Sequence, residues 1–178
     1  MSLRGTIHQL NASRGGVPKL PIAEAEVTER GITVDRQSDL RAHGGPQRAL
    51  CLFALETIET LQGEGHDIHP GSAGENVTTS GLDWSRVVPG SRLRLGGSVL
   101  VEITDYTTPC WKNACWFTDG DFNHIHQQIF PGSSRVYARV IESGTIRPGD
   151  AVELLEESAA VRVERQQPRT MRWPEDFR

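Results

Sequence analysis

The stretch Arg92-Leu-Arg-Leu-Gly-Gly-Ser-Val-Leu-Val-Glu-Ile-Thr104 decides the fold class of this chain. Apolar and polar residues alternate on both sides of Gly96-Gly97, and β-branched residues dominate the second arm. Such alternation is typical of a strand with one buried face, and paired glycines between two such runs are typical of a hairpin turn. The sequence therefore predicts two antiparallel strands over residues 92–95 and 99–104.

Short strands of the same kind recur along the chain, because its eighteen glycines and ten prolines interrupt it at short intervals. The other predicted strands cover residues 5–11, 22–28, 31–34, 77–79, 136–141 and 151–155. Apolar residues at helical spacing predict helices over residues 55–63, 111–120 and 121–130. This pattern predicts a mainly β fold, an antiparallel barrel or sandwich with a few short helices inserted between strands.

Length and composition limit the class of protein. The chain has 178 residues, 37% hydrophobic and 24% charged, which is typical of one globular domain. We predict that the domain covers residues 1–156 and that residues 157–178 form a charged, proline-containing tail. The net charge of −4 is spread over both signs, and no apolar run reaches ~18 residues, so we expect neither nucleic acid nor membrane as a partner. Three cysteines and no apolar leader predict a reducing, cytoplasmic location.

Cys110 is the first candidate for chemistry. It follows Pro109, where a strand pattern ends and helical spacing begins. Exposed backbone N–H groups at a helix start, together with Lys112, favour a thiolate, which acts as a nucleophile or a soft-metal ligand. Most free cysteines are simply small buried hydrophobic residues, so the local sequence leaves both interpretations open.

Two glycine-rich loops carry further candidates. His43-Gly44-Gly45 lies in a long polar loop over residues 35–48, between Arg41 and Arg48. Paired glycines let a backbone direct N–H groups at an anion, and arginines bind phosphate through charge-assisted hydrogen bonds. Gly74-Glu75-Asn76 offers donors and acceptors suited to the edge of a heterocycle. Taken alone, each loop is more simply explained as an ordinary turn.

Other cofactor sites have little support in the sequence. Cys110 and Cys115 could join His124 and His126 around zinc, but the spacing departs from structural zinc sites, and histidines two residues apart on a helix point to different sides. The sequence has no Walker loop, dinucleotide fingerprint or nucleophile-elbow serine. We also expect no pyridoxal phosphate, flavin or nicotinamide site.

Seven motifs occur in a fixed order and together resemble a known family. They are Asp35-Arg36-Gln37, His43-Gly44-Gly45-Pro46, Pro70-Gly71-Ser72-Ala73-Gly74-Glu75-Asn76, Thr79-Ser80-Gly81-Leu82, Pro109-Cys110-Trp111, Tyr137-Ala138-Arg139-Val140 and Arg147-Pro148-Gly149-Asp150. This succession resembles the MOSC domain, named for the C-terminal domain of molybdenum cofactor sulfurases, and its stand-alone bacterial members most. The resemblance covers residues 7–155. One departure is Thr33-Val34-Asp35, where the family often has Gly-Asp before the arginine–glutamine step.

The resemblance implies a β-barrel and a role in handling the molybdenum–pterin cofactor, with molybdenum or tungsten as the metal. It implies that Cys110 is the metal ligand or a sulfur carrier, and thiolate is the soft donor that such a metal prefers. The residues expected to line the cofactor site are His43, Gly44, Gly45, Glu75 and Asn76 from the resemblance, and Arg48, Gly74 and Trp111 from their position in the sequence.

Three functions stay open at this point, and the first is the one we expect. It is an oxidoreductase that reduces N-hydroxylated compounds such as hydroxylaminopurines, with Cys110 as metal ligand and a separate reductase as electron donor. The second is a sulfur carrier, in which a Cys110 persulfide, loaded by a separate sulfur donor, delivers sulfur for metal–sulfur cluster or cofactor maturation. The third is a non-catalytic carrier of the molybdenum cofactor.

Overall fold

The computed structural model describes residues 3–36 and 44–155 and confirms a mainly β fold. In these ranges the strands are β1 (Arg4–Ala12), β2 (Leu20–Ile22), β3 (Ala25–Thr28), β4 (Gly31–Ile32), β5 (Leu50–Ala54), β6 (Val77–Ser80), β7 (Arg92–Leu95), β8 (Val99–Tyr106), β9 (Val136–Glu142), β10 (Gly144–Ile146) and β11 (Ala151–Leu155). The α-helix α1 spans Leu55–Gly63. Short 3₁₀ segments span Pro46–Arg48, Trp84–Arg86, Trp111–Trp116 and Phe122–Ile125.

Seven of the strands close into a barrel, in the order β11-β7-β8-β9-β5-β6-β1, with β1 pairing back onto β11. Neighbours in this ring are antiparallel, except for β5 and β6, which run parallel with α1 in the connection between them. Strand β2 adds to the outside of β1, and β10, β3 and β4 form a separate small sheet. Of the two predicted arrangements, the barrel is therefore correct.

Successive side chains along each strand point alternately to the interior of the barrel and to its outer face. Leu52 of β5 and Ala138 of β9 belong to the main core and are fully buried. Each side chain of leucine size buried there contributes about 1.5–3 kcal/mol relative to an exposed one. Their neighbours Cys51 and Tyr137 are paired across the β5–β9 ladder and point to the opposite face. Residues on that outer face are available to a site.

A second, smaller core fixes the chain that follows Cys110. Phe53 on the outer face of β5 and Ile58 of α1 pack with Phe117 and Ile125. All four are almost fully buried. This cluster therefore anchors both short 3₁₀ segments of the stretch over residues 111–125 against α1 and the barrel.

Several predicted elements differ from the observed ones. The predicted helices over 111–120 and 121–130 are 3₁₀ segments of six and four residues, because Trp, Asn, Cys, Phe and His are poor helix formers. The strand predicted over 22–28 is interrupted between β2 and β3, and β10 was not predicted. The predicted tail at 157–178 lies outside the described residues. None of the helices within residues 3–36 and 44–155 combines the length and the apolar character of a membrane span.

Candidate functional site

The candidate site is a cavity of about 110 Å³ on the outer face of the barrel. Cys51 and Tyr137, adjacent across the β5–β9 ladder, form its floor. Loops contribute the remaining wall, from residues 16–19, from residues 73–76 and from the chain around Cys110. The cavity is therefore built on rigid strands and enclosed by connecting segments.

The wall of the cavity is strongly cationic. Lys19, Arg36, Arg48, Lys112 and Arg135 all line it, although they lie far apart in the sequence. Among the described lining residues there is no carboxylate. Positive charge concentrated in a cleft with low-dielectric walls attracts anions and raises their local concentration. The electrostatics of the cavity therefore favour an anionic ligand.

Arg135 is the most deeply buried of these cations, with 5% of its surface exposed. Its guanidinium donates a hydrogen bond to the carbonyl oxygen of Ala73. Its Nε atom has no hydrogen-bond partner in the described part of the chain. A buried N–H group without an acceptor costs about 1–3 kcal/mol, so an acceptor supplied by a ligand in the cavity would remove that cost.

A polar network joins the loop over residues 73–76 to the floor. The Asn76 side-chain amide donates to Asp35 Oδ2 at 2.9 Å, and its oxygen accepts from the Cys51 backbone N–H at 3.1 Å. The same carboxylate forms an ion pair with Lys19. These bonds fix the orientation of Asn76, and the ion pair partly neutralises the charge of Lys19.

Glu75 lies behind the wall rather than on it. Its Oε1 accepts hydrogen bonds from the Gly71 N–H at 2.6 Å and the Thr78 hydroxyl at 3.1 Å, and the residue is fully buried. Burial raises the pKa of the Glu75 carboxyl, and the Arg135 guanidinium acts in the opposite direction. Glu75 therefore holds the loop that carries Gly74, and its predicted direct contact with a cofactor has no support in its position.

Cys110 stands at the mouth of the cavity with a half-buried side chain. It precedes the 3₁₀ segment Trp111–Trp116 and forms a capping box with Asn113, in which the Cys110 N–H donates to Asn113 Oδ1 at 3.5 Å. The Asn113 N–H donates to the Cys110 carbonyl at 2.9 Å and closes the first turn of the segment. Asn113 also reaches the Ala73 carbonyl at 3.5 Å. The predicted helix start is correct in position, but the positive charge at the mouth comes from Lys112 and the arginines rather than from a helix terminus.

Four of the predicted site residues line the cavity together: Cys110, Arg48, Gly74 and Asn76. Gly74 has a φ of +92°, and a Cβ atom there would lie 2.9 Å from Val17 Cγ1. Glycine is therefore needed where this loop passes close to the neighbouring wall.

The other predicted residues lie elsewhere. Trp111 is 73% exposed and, like Gly44 and Gly45, is not among the described residues of the wall. Gly45 precedes the 3₁₀ segment Pro46–Arg48, which brings Arg48 to the cavity. His43 lies outside the described residues. The contacts predicted between these four residues and a cofactor stay predictions.

The alternative zinc set is not assembled. Cys115 is exposed, and His124 instead pairs with Asp119 at 2.8 Å and lies 4.6 Å from His66 between ring centroids. Glu64, His66 and His124 do come together. However, the Thr118 N–H donates to His66 Nδ1 at 3.2 Å. The neutral imidazole then carries its proton on Nε2, and that nitrogen is not free to bind a metal.

Sequence reasoning did not single out five lining residues: Lys19, Arg36, Cys51, Arg135 and Tyr137. Three of these residues could have been found from the sequence. If the apolar run over residues 49–53 is a strand, successive side chains point to opposite faces, so Cys51 faces away from Leu52. Arg36 and Tyr137 lie inside motifs that carried the family resemblance. Lys19 and Arg135 lie in neither a predicted strand nor one of the seven motifs.

Comparisons with known proteins agree with this architecture. The chain is 33% identical to the uncharacterized protein YflK of Bacillus subtilis over 145 residues and 30% identical to the protein YiiM of Escherichia coli over 146 residues. Each match covers 79% of this chain and 63% of the relative, so the chain spans less than two thirds of their length. A protein of Gibberella moniliformis named Reductase is 28% identical over 120 residues, which is 64% of this chain and 21% of that protein.

Solved structures and a family model complete the comparison. The crystal structure of YiiM from Geobacillus stearothermophilus superimposes with a TM-score of 0.68 at 25% identity, covering 87% of this chain and 77% of that one. The YuaD protein from Bacillus subtilis superimposes with a TM-score of 0.70 at 15% identity, covering 87% of this chain and 97% of that one, which shows the fold alone. The model of the MOSC domain matches residues 39–153. The chain therefore belongs to the MOSC domain family.

Proposed function

We propose that this protein binds the molybdenum–pterin cofactor through Cys110 and reduces N-hydroxylated compounds. The observation that carries the proposal is an accessible thiol at the mouth of a cavity whose wall holds five cationic side chains. A thiolate is a soft donor suited to molybdenum or tungsten. Lysine and arginine are suited to the phosphate of the pterin. Few ligands require both groups in one small cavity.

The residues present fit such a cofactor. The orphaned N–H of Arg135 offers a buried donor to an anionic ligand. Gly74 keeps side-chain atoms out of a narrow part of the wall, so a ligand can approach the backbone there. In this proposal Cys110 ligates the metal, Arg36, Arg48 and Arg135 hold the phosphate, and Asn76 contacts the pterin edge.

The bound cofactor would supply two-electron redox chemistry beside the Cys110 sulfur. Conversion of R–NHOH to R–NH₂ and water consumes two electrons and two protons, so an external electron donor is needed. We propose that a separate reductase protein supplies the electrons. The name of the fungal relative, Reductase, supports a redox role. The three free cysteines suit a reducing compartment, and we propose that the protein works in the cytoplasm.

The experiment that tests the proposal compares Cys110→Ser with Cys115→Ser. Cys115 is the matched control because it is exposed on the 3₁₀ segment that follows Cys110 and does not belong to the described wall. Both variants and the wild type are purified from cells that make the cofactor. Metal content, pterin fluorescence and reduction of hydroxylaminopurine by a chemical electron donor are then measured. We expect the wild type and Cys115→Ser to carry stoichiometric metal and pterin, and Cys110→Ser to lose the metal and the activity.

Each alternative function gives a different result in the same experiment. If Cys110→Ser keeps its metal but loses a mass increment of one sulfur atom, the protein is a sulfur carrier and the proposal is wrong. If the wild type holds cofactor tightly but reduces no N-hydroxylated compound, it is a carrier of the cofactor. If the wild type holds stoichiometric zinc and no pterin, the cofactor assignment itself fails.

A further inference from the structure

The floor of the cavity holds a phenol to which the proposed cofactor binding gives no role. Tyr137 is 6% exposed and lines the cavity beside Cys51. The Arg48 guanidinium carbon lies 5.2 Å from the centroid of its ring. The Thr107 hydroxyl forms a hydrogen bond with the phenol and lies 3.8 Å from the Cys51 sulfur. The ring is thus fixed by its strand, by a cation over its face and by a hydroxyl at its polar end.

We propose that the Tyr137 hydroxyl donates the proton that the substrate oxygen takes up when the N–O bond breaks. This inference rests on the proposed reduction of N-hydroxylated compounds. The two electrons come from the external reductase, the N–O bond breaks, and the oxygen leaves as water after taking the phenol proton. A second proton from solvent goes to the nitrogen, and solvent water returns a proton to the tyrosinate. The sum is R–NHOH, two electrons and two protons giving R–NH₂ and water.

The acidity of this phenol suits the step. Burial raises the pKa of Tyr137 to about 12, and the nearby Cys51 acts in the same direction, while Arg135, Arg48 and the Thr107 hydrogen bond act in the opposite direction. The phenol is therefore protonated at neutral pH. It is still a stronger acid than water, whose pKa is about 15.7, so proton transfer to a departing hydroxide is downhill. The two guanidinium groups would stabilise the tyrosinate until it is reprotonated.

The other protonated groups of the described wall are less suited to this role. The Lys19 ammonium is engaged by Asp35 in an ion pair. Lys112 is exposed at the mouth rather than on the floor. Burial raises the pKa of the Cys51 thiol, and its sulfur is 3.8 Å from Thr107. Arginines do not release protons in proteins, so the neutral donors on the floor are the Tyr137 phenol and the Cys51 thiol. We assign the role to the phenol, and Tyr137→Phe removes the phenol while leaving the thiol in place.

The test compares Tyr137→Phe with Tyr106→Phe, because the chain has two tyrosines. Tyr106 packs against the barrel core and serves as the control. Phenylalanine at 137 keeps the ring under Arg48 and removes only the hydroxyl. We expect Tyr137→Phe to keep its metal content and to lose about 100-fold in kcat with little change in KM. Its residual rate should rise about tenfold per unit fall in pH, because hydronium must then supply the proton. The wild type and Tyr106→Phe should keep a level rate across neutral pH.

Substrate binding gives a readout without turnover. In the cofactor-loaded protein without an electron donor, we expect the wild type to bind hydroxylaminopurine about tenfold more tightly than the corresponding aminopurine. Tyr137→Phe should lose this preference, and Tyr106→Phe should keep it. Calorimetry measures both affinities.

A second variant keeps the inference testable if Tyr137→Phe folds poorly. Thr107→Val removes the hydroxyl that orients the phenol and should lower kcat about tenfold without loss of metal. The inference is wrong if Tyr137→Phe or Thr107→Val retains full kcat, or if Lys112→Met instead acquires the hydronium-dependent profile. A wild type without metal would contradict the proposed function rather than this assignment, so the two failures are distinguishable.

Discussion

The two faces of strands β5 and β9 serve different purposes in the same barrel. On the inner face, Leu52 and Ala138 pack among Leu, Val and Ile side chains and are fully buried. On the outer face, Cys51 and Tyr137 meet polar loops and the cations of the cavity. The inner face fixes the backbone, and the same backbone fixes the floor of the site. The mouth, where Cys110 lies, belongs instead to a loop that a second small core holds in place.

The largest effect on stability should come from the inner face. Leu52→Ala removes a fully buried side chain from the barrel core, and we expect it to lower the free energy of unfolding by about 2–5 kcal/mol. Cys51→Ala, at the preceding position of the same strand, should lower the free energy of unfolding by only about 1 kcal/mol because its side chain faces the cavity. Urea denaturation of the wild type and both variants measures the two losses in free energy of unfolding. Equal losses would show that the outer face carries as much of the packing as the inner one.

The thiols at the mouth and on the floor of the cavity should differ in reactivity. In a Cys115→Ser background, Cys110 should react with iodoacetamide at least about 100-fold faster than Cys51, which is buried and must wait for local opening. Burial also raises the pKa of the Cys51 thiol, so little thiolate forms there at neutral pH. Mass spectrometry of peptides after timed quenching gives both rates. Similar rates would mean that the floor opens readily to solvent.

Local patterns predicted the frame of the barrel well. The strands β7 and β11 and the helix α1 have the bounds that were predicted, because alternation or helical spacing there extends over the whole element. The segment after Cys110 was predicted as an amphipathic helix, since its apolar residues have helical spacing. It is a 3₁₀ segment because its residues have poor helix propensity and its apolar face has only a small core to join.

The cavity could be predicted only in part. Cys110, Gly74 and Asn76 were found because each lies in a short motif, and Arg48 because it follows the His43-Gly44-Gly45 motif. Arg135 was not, because nothing near it in the sequence shows that a loop from residues 73–76 will cover it. A cluster of cations drawn from separate segments exists only after the barrel has closed, so neither spacing nor composition reveals it.

The stability of the protein should depend on pH through Glu75, which lies behind the wall of the cavity. Burial raises the pKa of the Glu75 carboxyl above its ordinary value of 4.5. The folded state therefore binds this proton more tightly than the unfolded state does. The stabilisation is fully present below the unfolded value and is lost as pH rises through the folded one.

Glu75→Gln removes that titration and nearly preserves the shape of the side chain. We expect the free energy of unfolding of the wild type to fall, relative to that of the variant, as pH rises from about 4.5 toward neutrality. Denaturation of both proteins in urea over a pH series gives the difference, in which the other titrating groups cancel. A difference that stays constant with pH would mean that the pKa of Glu75 is not raised.

The smallest effect is expected at the mouth itself, at the neighbour of Cys110. A 3₁₀ helix has three residues per turn, so Cys110 and Asn113 share the face that lines the cavity, and Trp111 lies a third of a turn away. Its ring is 73% exposed, so Trp111→Ala should change the free energy of unfolding by no more than about 0.5 kcal/mol. Metal content and pterin fluorescence should match the wild type, whereas Cys110→Ser loses the metal. A loss of metal as complete as that of Cys110→Ser would show that Trp111 closes over the bound cofactor, and the mouth would then have to rearrange on binding.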